Sequence, residues 1–304
     1  MAKVGDRVLY YLILKPCSYL PLGVMYFLGH FVFFLAYRVL HYRRKVIRQN
    51  LKNAFPEKSE TELAQIEKSF YKYFIDFLVE SVKAISISKK NVIKRTTIKN
   101  PELIDKLHAQ NKNLIVLCGH YSNWEFYSLT LPELVKYNTY SVYQPLKNKF
   151  FDNVLYNSRT RNGMNLIKTK ETIPFFNSSD SDENRMVILV NDQSPGNLNR
   201  AYWNYFLNQE TGWNFGPEKL ARKYDYAVLF GYARRIKRGH YEVEFRPLSL
   251  EPSLLQEGQI THKYSMMLEE LIRERPQFWL WSHRRWKHKR PTEVPLVDKE
   301  KAIA

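Results

Sequence analysis

The sequence predicts an α/β fold in which helices flank a mostly parallel, mixed sheet, preceded by an N-terminal membrane-anchoring helix. Short apolar runs, such as 114–118 and 185–190, alternate along the chain with segments of helical periodicity, such as 61–83. No internal repeat replaces this alternation. Strands that alternate with helices form parallel-rich sheets covered by helices. The anchor is predicted from residues 16–37, which contain no Lys, Arg, Asp or Glu.

The individual elements follow from the spacing of apolar residues. An amphipathic helix is predicted over 61–83, where aliphatic and aromatic residues recur near helical spacing between Glu and Lys. Its aromatic stripe favours a core role over an acyl pocket. Further helices are predicted over 150–161, 216–224 and 261–274. Strands are predicted over 114–118, 139–143, 185–190, 227–233 and 241–245, with a polar loop over 191–200.

Length and composition indicate one folded domain with a short N-terminal appendage. The chain has 304 residues, of which 44% are hydrophobic, so that it can bury one sizeable core. No long linker rich in Gly, Ser or Pro divides it. We therefore expect a membrane anchor over 1–42 and a single folded domain over 43–304 with a basic C-terminal tail.

The apolar segment 16–37 is long enough to span a hydrocarbon core of ~30 Å. A buried helix or an uncleaved signal sequence would explain the same composition, although the segment lacks a clean small-x-small cleavage site. Basic residues are more numerous after it than before it, which predicts a cytoplasmic downstream domain. Those after it are Arg38, Arg43, Arg44, Lys45, Arg48 and Lys52. The only cysteines, Cys17 and Cys118, imply no disulfide framework, which also suits the cytoplasm.

The formal net charge of +17 is compatible with two kinds of partner. Nucleic-acid binding is the weaker interpretation, because the aromatic residues fall inside apolar periodic segments and no nucleic-acid-binding motif is present. Attraction to anionic lipid headgroups, worth ~1 kcal/mol per basic residue, accounts for the charge and the anchor together. An acidic carrier protein would be steered to the same surface.

The segment Gly119-His120-Tyr121-Ser122-Asn123-Trp124-Glu125 is the strongest candidate for a site. His120 follows a predicted buried strand, at the sheet edge where open α/β folds bind ligands. An imidazole there can take a proton from a hydroxyl, and a nearby carboxylate fixes its tautomer. Glu125 is the predicted carboxylate. The two side chains lie roughly 140° apart on a regular helix, so they meet only across a bend, which Gly119 and Asn123 can supply.

Cys118 is an alternative nucleophile, two residues from His120. Its position inside an apolar run favours a core role, since buried thiols have raised pKa values and low reactivity. The chain has no Cys/His or carboxylate cluster with metal-ligand spacing and no glycine-rich dinucleotide loop. We therefore predict no metal or redox cofactor.

From Arg43 to Pro291 the chain resembles the lipid A late acyltransferases, which are lysophospholipid-acyltransferase-like enzymes. The resemblance rests on ordered blocks. They are Arg48-Gln49-Asn50-Leu51 with Ala54-Phe55-Pro56, Gly119-His120 with Asn123-Trp124-Glu125, Tyr143-Gln144-Pro145-Leu146-Lys147-Asn148 with Arg159-Thr160-Arg161-Asn162-Gly163, Asn191-Asp192-Gln193, and Trp281-Ser282-His283-Arg284-Arg285-Trp286-Lys287 with Arg290-Pro291. The chain departs from the family's Phe-Phe-Gly segment at 205–213, so chain-length preference is not carried over.

The resemblance implies an enzyme that moves an acyl chain from an acyl carrier protein thioester to a hydroxyl of a lipid A precursor at the bacterial inner membrane. His120 would be the general base, oriented by Glu125. The candidates for substrate or oxyanion binding are Asn123, Arg159, Arg161 and Asp192. Each arginine could instead lie on a solvated helix face without binding a ligand. Asp192 could instead cap the loop that follows its strand.

The C-terminal basic cluster 283–290 is a candidate contact for lipid phosphates or the membrane interface through Arg284, Arg285 and Lys287, with Trp281 and Trp286 near headgroup level. A solvated basic tail is the simpler alternative.

Two alternatives to the function stay open: acylation of another lipid (lysophospholipid, aminolipid or glycolipid), and a membrane-tethered basic binding protein in which His120 and Glu125 are structural. Thioester turnover separates these classes.

Overall fold

The computed structural model describes residues 4–178 and 184–297. Its strands are β1 Thr96–Ile98, β2 Leu114–Cys118, β3 Asn138–Tyr143, β4 Asn165–Lys168, β5 Arg185–Val190, β6 Tyr202–Phe206, β7 Gln209–Trp213, β8 Ala227–Lys237 and β9 His240–Ser249. Its α-helices are α1 Val4–Val8, α2 Lys15–Tyr19, α3 Leu22–Phe34, α4 Arg44–Ala54, α5 Glu60–Lys83, α6 Lys89–Ile93, α7 Pro101–Ala109, α8 Trp124–Leu134, α9 Lys149–Thr160, α10 Thr172–Asn177, α11 Gly216–Tyr224 and α12 Gln259–Glu274. Two π-helical segments, Leu9–Leu14 and Leu35–Val39, extend the N-terminal helices, and single 3-10 turns occur at Thr169–Glu171, Pro252–Leu254 and Pro276–Phe278.

Seven strands form the central sheet in the order β1-β9-β8-β2-β5-β3-β4. Neighbouring strands pair in parallel, except that β8 and β9 form an antiparallel hairpin. All five residues of β2 are buried, as expected for a central strand covered by helices on both faces. The predicted class, α/β with a mostly parallel mixed sheet flanked by helices, is confirmed.

The elements with the clearest periodicity match their predicted bounds. β2 and β5 agree with the prediction to the residue, and α5 begins one residue earlier than predicted, at Glu60. A capping box starts this helix: the Ser59 side chain accepts the backbone N–H of Glu62, and the Glu62 side chain accepts the backbone N–H of Ser59. Short elements were missed, among them β1, β4 and the hairpin of β6 and β7. That hairpin forms the segment that departs from the family pattern, and its turn places Leu207 and Asn208 at positive φ (50° and 60°).

The N-terminal apolar segment does not form one helix over 16–37. It divides at Leu20 and Pro21, because proline has no backbone N–H to continue the preceding helix, and α3 begins at Leu22. Among the described residues, one helical stretch is long and apolar enough to cross a membrane, Leu22–Val39, with a mean hydropathy of 1.5 and only 28% of it buried. Phe27 and Phe31 on this stretch are 74% and 65% exposed.

The buried face of α3 packs on α5. A Cβ added to Gly29 would lie 3.2 Å from a methyl group of Val79 and 3.5 Å from one of Ile75, so the glycine allows a close approach of the two helices. Leu22, Met25 and Tyr26 form the buried part of this contact. The apolar stretch is therefore attached along one side to the domain that carries the sheet.

Candidate active site

The parallel pairing of β2 with β5 places His120 beside Asp192. Cys118, the last residue of β2, is opposite Val190, the last residue of β5. The backbone N–H of Asn191 donates to the carbonyl of Cys118 at 3.0 Å, which continues the pairing past the strand ends. His120 and Asp192 each lie two residues beyond these paired ends. They meet at the carboxyl edge of the sheet, where open α/β folds form their sites.

Asp192 holds the imidazole of His120 through both carboxylate oxygens. Oδ1 lies 2.6 Å from His120 Nδ1, and Oδ2 accepts the backbone N–H of His120 at 2.7 Å. Oδ2 also accepts the indole N–H of Trp279 at 2.7 Å. Because the carboxylate accepts from Nδ1, the proton of a neutral imidazole sits on Nδ1 and the lone pair on Nε2.

The electrostatics of Asp192 favour its ionised form. Burial of this side chain, which is 3% exposed, raises its pKa, but the charge of His120 and the hydrogen bonds from His120 and Trp279 outweigh burial and hold the pKa below the usual 3.8. An acid whose pKa is lowered in the folded state stabilises the fold above its unfolded pKa. The stabilisation from Asp192 is thus complete above about pH 3.8 and is lost as the pH falls below it.

The free face of His120 contacts Gln193. The side-chain nitrogen of Gln193 lies 3.2 Å from His120 Nε2, so the amide donates to the ring nitrogen that carries the lone pair. The histidine side chain is 21% exposed, and its ring packs edge-on against Trp124 with centroids 5.1 Å apart. A substrate hydroxyl that reaches Nε2 must therefore replace the Gln193 amide.

Asn123 shapes the turn after His120 and does not face the imidazole. It caps α8, since its Oδ1 accepts the backbone N–H of Phe126 at 2.9 Å. Its Nδ2 donates to buried Glu80 at 2.5 Å. Glu80 also accepts the hydroxyl groups of Tyr26 and Tyr241, each at 2.5 Å. Asn123, predicted as a substrate or oxyanion ligand, thus links the turn after His120 to the interior.

Glu125 pairs with Arg159. The Nε of Arg159 donates to Glu125 Oε2 at 3.0 Å, and Nη2 donates to Oε1 at 2.6 Å, a two-pronged arrangement that fixes the guanidinium plane. The predicted orientation of His120 by Glu125 is therefore corrected, because the carboxylate on the imidazole is Asp192. Glu125 lies in the first turn of α8 and points toward α9, which carries Arg159.

A family model described as bacterial lipid A biosynthesis acyltransferase matches residues 3–288, nearly the whole chain. The chain belongs to this family. It is accordingly an O-acyltransferase of lipid A biosynthesis, and the alternative of a basic binding protein without turnover is set aside. The predicted resemblance is confirmed.

Curated relatives of this lipid A acyltransferase are distant but cover most of both chains. The lipid A biosynthesis lauroyltransferase of Escherichia coli is 24% identical over 281 residues, which are 91% of this chain and 89% of the relative. The lipid A biosynthesis palmitoleoyltransferase of Escherichia coli is 23% identical over 273 residues, covering 88% and 86%. The lipid A biosynthesis acyltransferase of Shigella flexneri has the same identity and coverage.

Two predicted binding arginines of this acyltransferase have structural contacts instead. Arg161 donates to the backbone carbonyls of Ile85 and Ile87 at 2.9 and 2.6 Å, which ties α9 to the end of α5. Arg285 is 3% exposed; its Nη2 donates to the carbonyl of Gly212 at 2.6 Å and its guanidinium lies over the ring of Trp213. Burial lowers the pKa of Arg285 to about 10, although the nearby charge of Asp192 raises it.

The other residues of the C-terminal cluster divide between core and surface. Trp281 is fully buried and Trp286 partly buried, so the indoles predicted near headgroup level belong to the interior. Arg284 and Lys287 are exposed, as a membrane or phosphate contact requires. His283 lies between these groups, and burial, together with the positive charge of Arg285, lowers its pKa to about 4 even though Asp192 raises it.

Metal-ligand geometry is not found in residues 4–178 and 184–297, which contain no group of three His, Cys, Asp or Glu side chains placed to hold an ion. Cys118 is buried beneath the site, and burial raises the pKa of its thiol to about 12. At neutral pH it is a protonated core residue, and a protonated thiol is a poor nucleophile.

Replacement of Cys118 by alanine is expected to leave acyl transfer within about threefold of the unmodified rate and to lower stability by about 1 kcal/mol, the usual cost of a small core truncation. Steady-state transfer and chemical unfolding measure the two effects, with Cys17→Ala as the matched control. A folded Cys118→Ala protein that has lost transfer by a hundredfold or more would return this thiol to the role of nucleophile.

Proposed function

We propose that this protein transfers a fatty acyl chain from an acyl carrier protein thioester to a hydroxyl of a lipid A precursor, with His120 as general base and Asp192 as its orienting carboxylate. The observation that carries the proposal is the 2.6 Å contact between His120 Nδ1 and Asp192 at the carboxyl edge of the sheet. Family membership supplies the reaction class and lipid A as the acceptor class. The carrier-protein donor follows from the basic charge of the chain, +17, and from the resemblance.

The chemistry requires no covalent intermediate on the protein. His120 Nε2 removes the proton of the acceptor hydroxyl as the hydroxyl oxygen attacks the thioester carbonyl, and Asp192 stabilises the imidazolium that forms. When the tetrahedral intermediate collapses, the carbon–sulfur bond breaks and the thiolate takes the proton back from Nε2. The ester product and the free carrier thiol leave, and His120 is neutral again.

Arg159 is the proposed electrostatic partner of this reaction, and Glu125 is its positioning residue. The carboxylate of Glu125, 9% exposed, occupies Nε and one Nη of the guanidinium, so Nη1 is free to face a substrate oxygen. A fixed guanidinium stabilises a developing oxyanion or binds a phosphate more effectively than a mobile one, because no reorganisation is needed during reaction. This role also explains how Glu125 contributes without touching His120.

Attachment to the membrane is proposed through the stretch Leu22–Val39. Its exposed side is apolar, with Phe27, Phe31 and Phe34 all more than half exposed, while its other side is held by α5. Exposed apolar surface on one side and a basic segment immediately after it favour insertion into the bacterial inner membrane, with the sheet on the cytoplasmic side. The division into an anchor over 1–42 and a folded domain over 43–304 is part of the same proposal.

Mass spectrometry of the lipid products tests the function. Purified protein is incubated with acyl carrier protein thioester and a mixture of lipid A precursors and lysolipids, in parallel with His120→Ala. The lipid A precursor is expected to gain one acyl mass, and His120→Ala to reduce this gain at least ~100-fold, the usual order for loss of a general base. Transfer only to other lipids would replace the acceptor, and near-normal turnover by a folded His120→Ala protein would reject the site.

Replacement of Asp192 by asparagine is expected to lower kcat by roughly 10⁴-fold, the effect of the same change in a serine protease triad. The physical reason is that the change moves the ring proton of His120 from Nδ1 to Nε2. Two N–H donors, from His120 and Trp279, face the Oδ2 position and keep the amide oxygen there. The amide NH₂ must then face His120 Nδ1 and force the ring proton onto Nε2, which removes the base.

The control for this change is Asp225→Asn. The carboxylate of Asp225 is exposed at the end of α11, just before β8 begins and thus at the opposite end of the strands from His120. Circular dichroism checks that both variants fold. Activity of Asp192→Asn within tenfold of Asp225→Asn would show that Asp192 does not set the tautomer of His120.

A double-mutant cycle tests the pairing of Glu125 with Arg159. Because the two side chains act as one unit, Glu125→Ala and Arg159→Ala together are expected to lower kcat/KM no further than the worse single change, about 100-fold. Unfolding midpoints are recorded for all three proteins, since one unpaired charge in a nearly buried site is destabilising by itself. Effects that multiply in the double variant would show that the two residues act independently.

A further inference from the structure

A basic cavity lies at the start of α4. Its volume is about 640 Å³. His41, Arg43, Arg44, Lys45, Val46, Arg48 and Arg284 line it. Six of these seven side chains are basic types, and none is acidic, so the cavity is suited to an anion.

The backbone at the mouth of the cavity has an unusual conformation. His41 and Arg43 both have positive φ, 48° and 53°, a region that residues other than glycine enter only at an energetic cost. The cost is offset by fixed contacts, since Arg43 Nη1 donates to the carbonyl of Ser282 at 2.8 Å. Strained backbone that the surroundings hold in place is a recurrent feature of ligand sites.

The positive charge of the cavity is only partly neutralised. Arg44 and Arg48 share the buried carboxylate of Glu67, each at 2.7 Å, so these two arginines also hold α4 on α5. Lys45 and Arg284 are exposed, and neither forms an ion pair within the described parts of the chain. Arg44 and Arg48 share one carboxylate, and Arg43, Lys45 and Arg284 add three further positive charges, so the cavity has an excess of positive charge.

The cavity follows directly on the apolar stretch Leu22–Val39. Val39 and Leu40 are 53% and 71% exposed, and Tyr42 is 45% exposed, so apolar surface continues to the rim. A basic concavity at the end of an exposed apolar helix lies at headgroup depth when that helix is in a bilayer. The anion that reaches it most readily belongs to a lipid.

One segment, 281–285, connects the cavity with the catalytic pair. Asn50 of α4 donates to the carbonyls of Trp281 and His283 at 2.8 and 2.9 Å. On the other side, the hydroxyl of Ser194 donates to the carbonyl of Arg285 at 2.6 Å, next to Gln193, which contacts His120. Arg284, which lines the cavity, therefore belongs to a short backbone segment that is also hydrogen-bonded to the residue next to Gln193.

We propose that this cavity binds a phosphate group of the acceptor lipid, so that the phosphate is held by Lys45, Arg284 and their neighbours while an acceptor hydroxyl reaches His120. The inference rests on the proposed function for the identity of the acceptor and goes beyond it by locating a headgroup subsite. A dianionic phosphate matches the uncompensated charge, and its lipid chains remain in the membrane beside Leu40. Phosphate-dependent binding then contributes to acceptor affinity and not to the transfer step.

The test measures equilibrium binding of a phosphorylated lipid A precursor, and of the same lipid after enzymatic dephosphorylation, to the purified full-length protein in nonionic detergent micelles. Lys45→Ala/Arg284→Ala is the test variant, because Arg44 and Arg48 also neutralise Glu67. Its Kd for the phosphorylated lipid is expected to rise about tenfold or more, as the loss of two basic contacts implies. Its Kd for the dephosphorylated lipid should equal that of the unmodified protein.

The matched control is Lys106→Ala/Lys223→Ala, which removes the same charge. Lys106 is near the end of α7 and Lys223 near the end of α11, both exposed at the edge where β2 and β8 begin, opposite to His120. An unchanged Kd in the test variant, or an equal rise in both variants, overturns the inference. An unchanged lipid Kd together with weaker binding of the carrier-protein thioester, measured in the same way, would identify a donor-docking surface instead.

A parallel titration with inorganic phosphate distinguishes the source of the anion. Millimolar phosphate is expected not to displace the lipid, since the lipid is held by its chains as well as by its headgroup; efficient displacement would indicate a site for free anions and overturn the lipid assignment. Because binding is measured without turnover, the two proposals fail separately. Loss of phosphate-dependent binding in the test variant supports the subsite even if no acyl transfer is detected.

Discussion

The register between β2 and β5 is the constraint on which the site depends. Cys118 and Val190 are opposite each other, so the two side chains that come two residues later, His120 and Asp192, are brought together by strand pairing alone. A shift by one residue would turn one of them to the other face of the sheet. Apolar side chains on both faces of these strands fix the register, because β2 is fully buried and β5 nearly so. The geometry of the candidate site is therefore a consequence of core packing.

The same dependence explains what the sequence predicted and what it did not. β2, β5 and α5 were predicted closely, because each carries an unbroken apolar or helical pattern. β1 and β4 have three and four residues, too few for a period to show. His120 and Asp192 were both recognised as candidates at strand ends, but their pairing requires the strand order, which one sequence does not contain. The sequence favours Glu125 because it follows His120 by five residues within one block of the family resemblance. The signal that points to Asp192 instead is the equal spacing of His120 and Asp192 from the ends of their strands.

A buried carboxylate connects the turn after His120 with the apolar helix α3. Glu80 of α5 receives hydrogen bonds from Tyr26 on α3, from Tyr241 on β9 and from Asn123 at the start of α8. Burial raises its pKa, and the three donors compensate only in part. Such a group is costly unless every partner is in place. The position of α3 and the conformation of the turn after His120 are thus coupled through one side chain in the interior.

The contact between Gln193 and His120 has a consequence for fidelity. In the absence of acceptor, the lone pair of Nε2 already accepts a hydrogen bond from the amide, at 3.2 Å. A single water molecule gains little by displacing this donor, because it offers no binding energy from elsewhere, whereas a lipid hydroxyl arrives with the affinity of its whole molecule. In the proposed mechanism, this hydrogen bond occupies Nε2 until the acceptor binds and frees the base. For the proposed thioester donor, this arrangement would disfavour hydrolysis in the absence of acceptor.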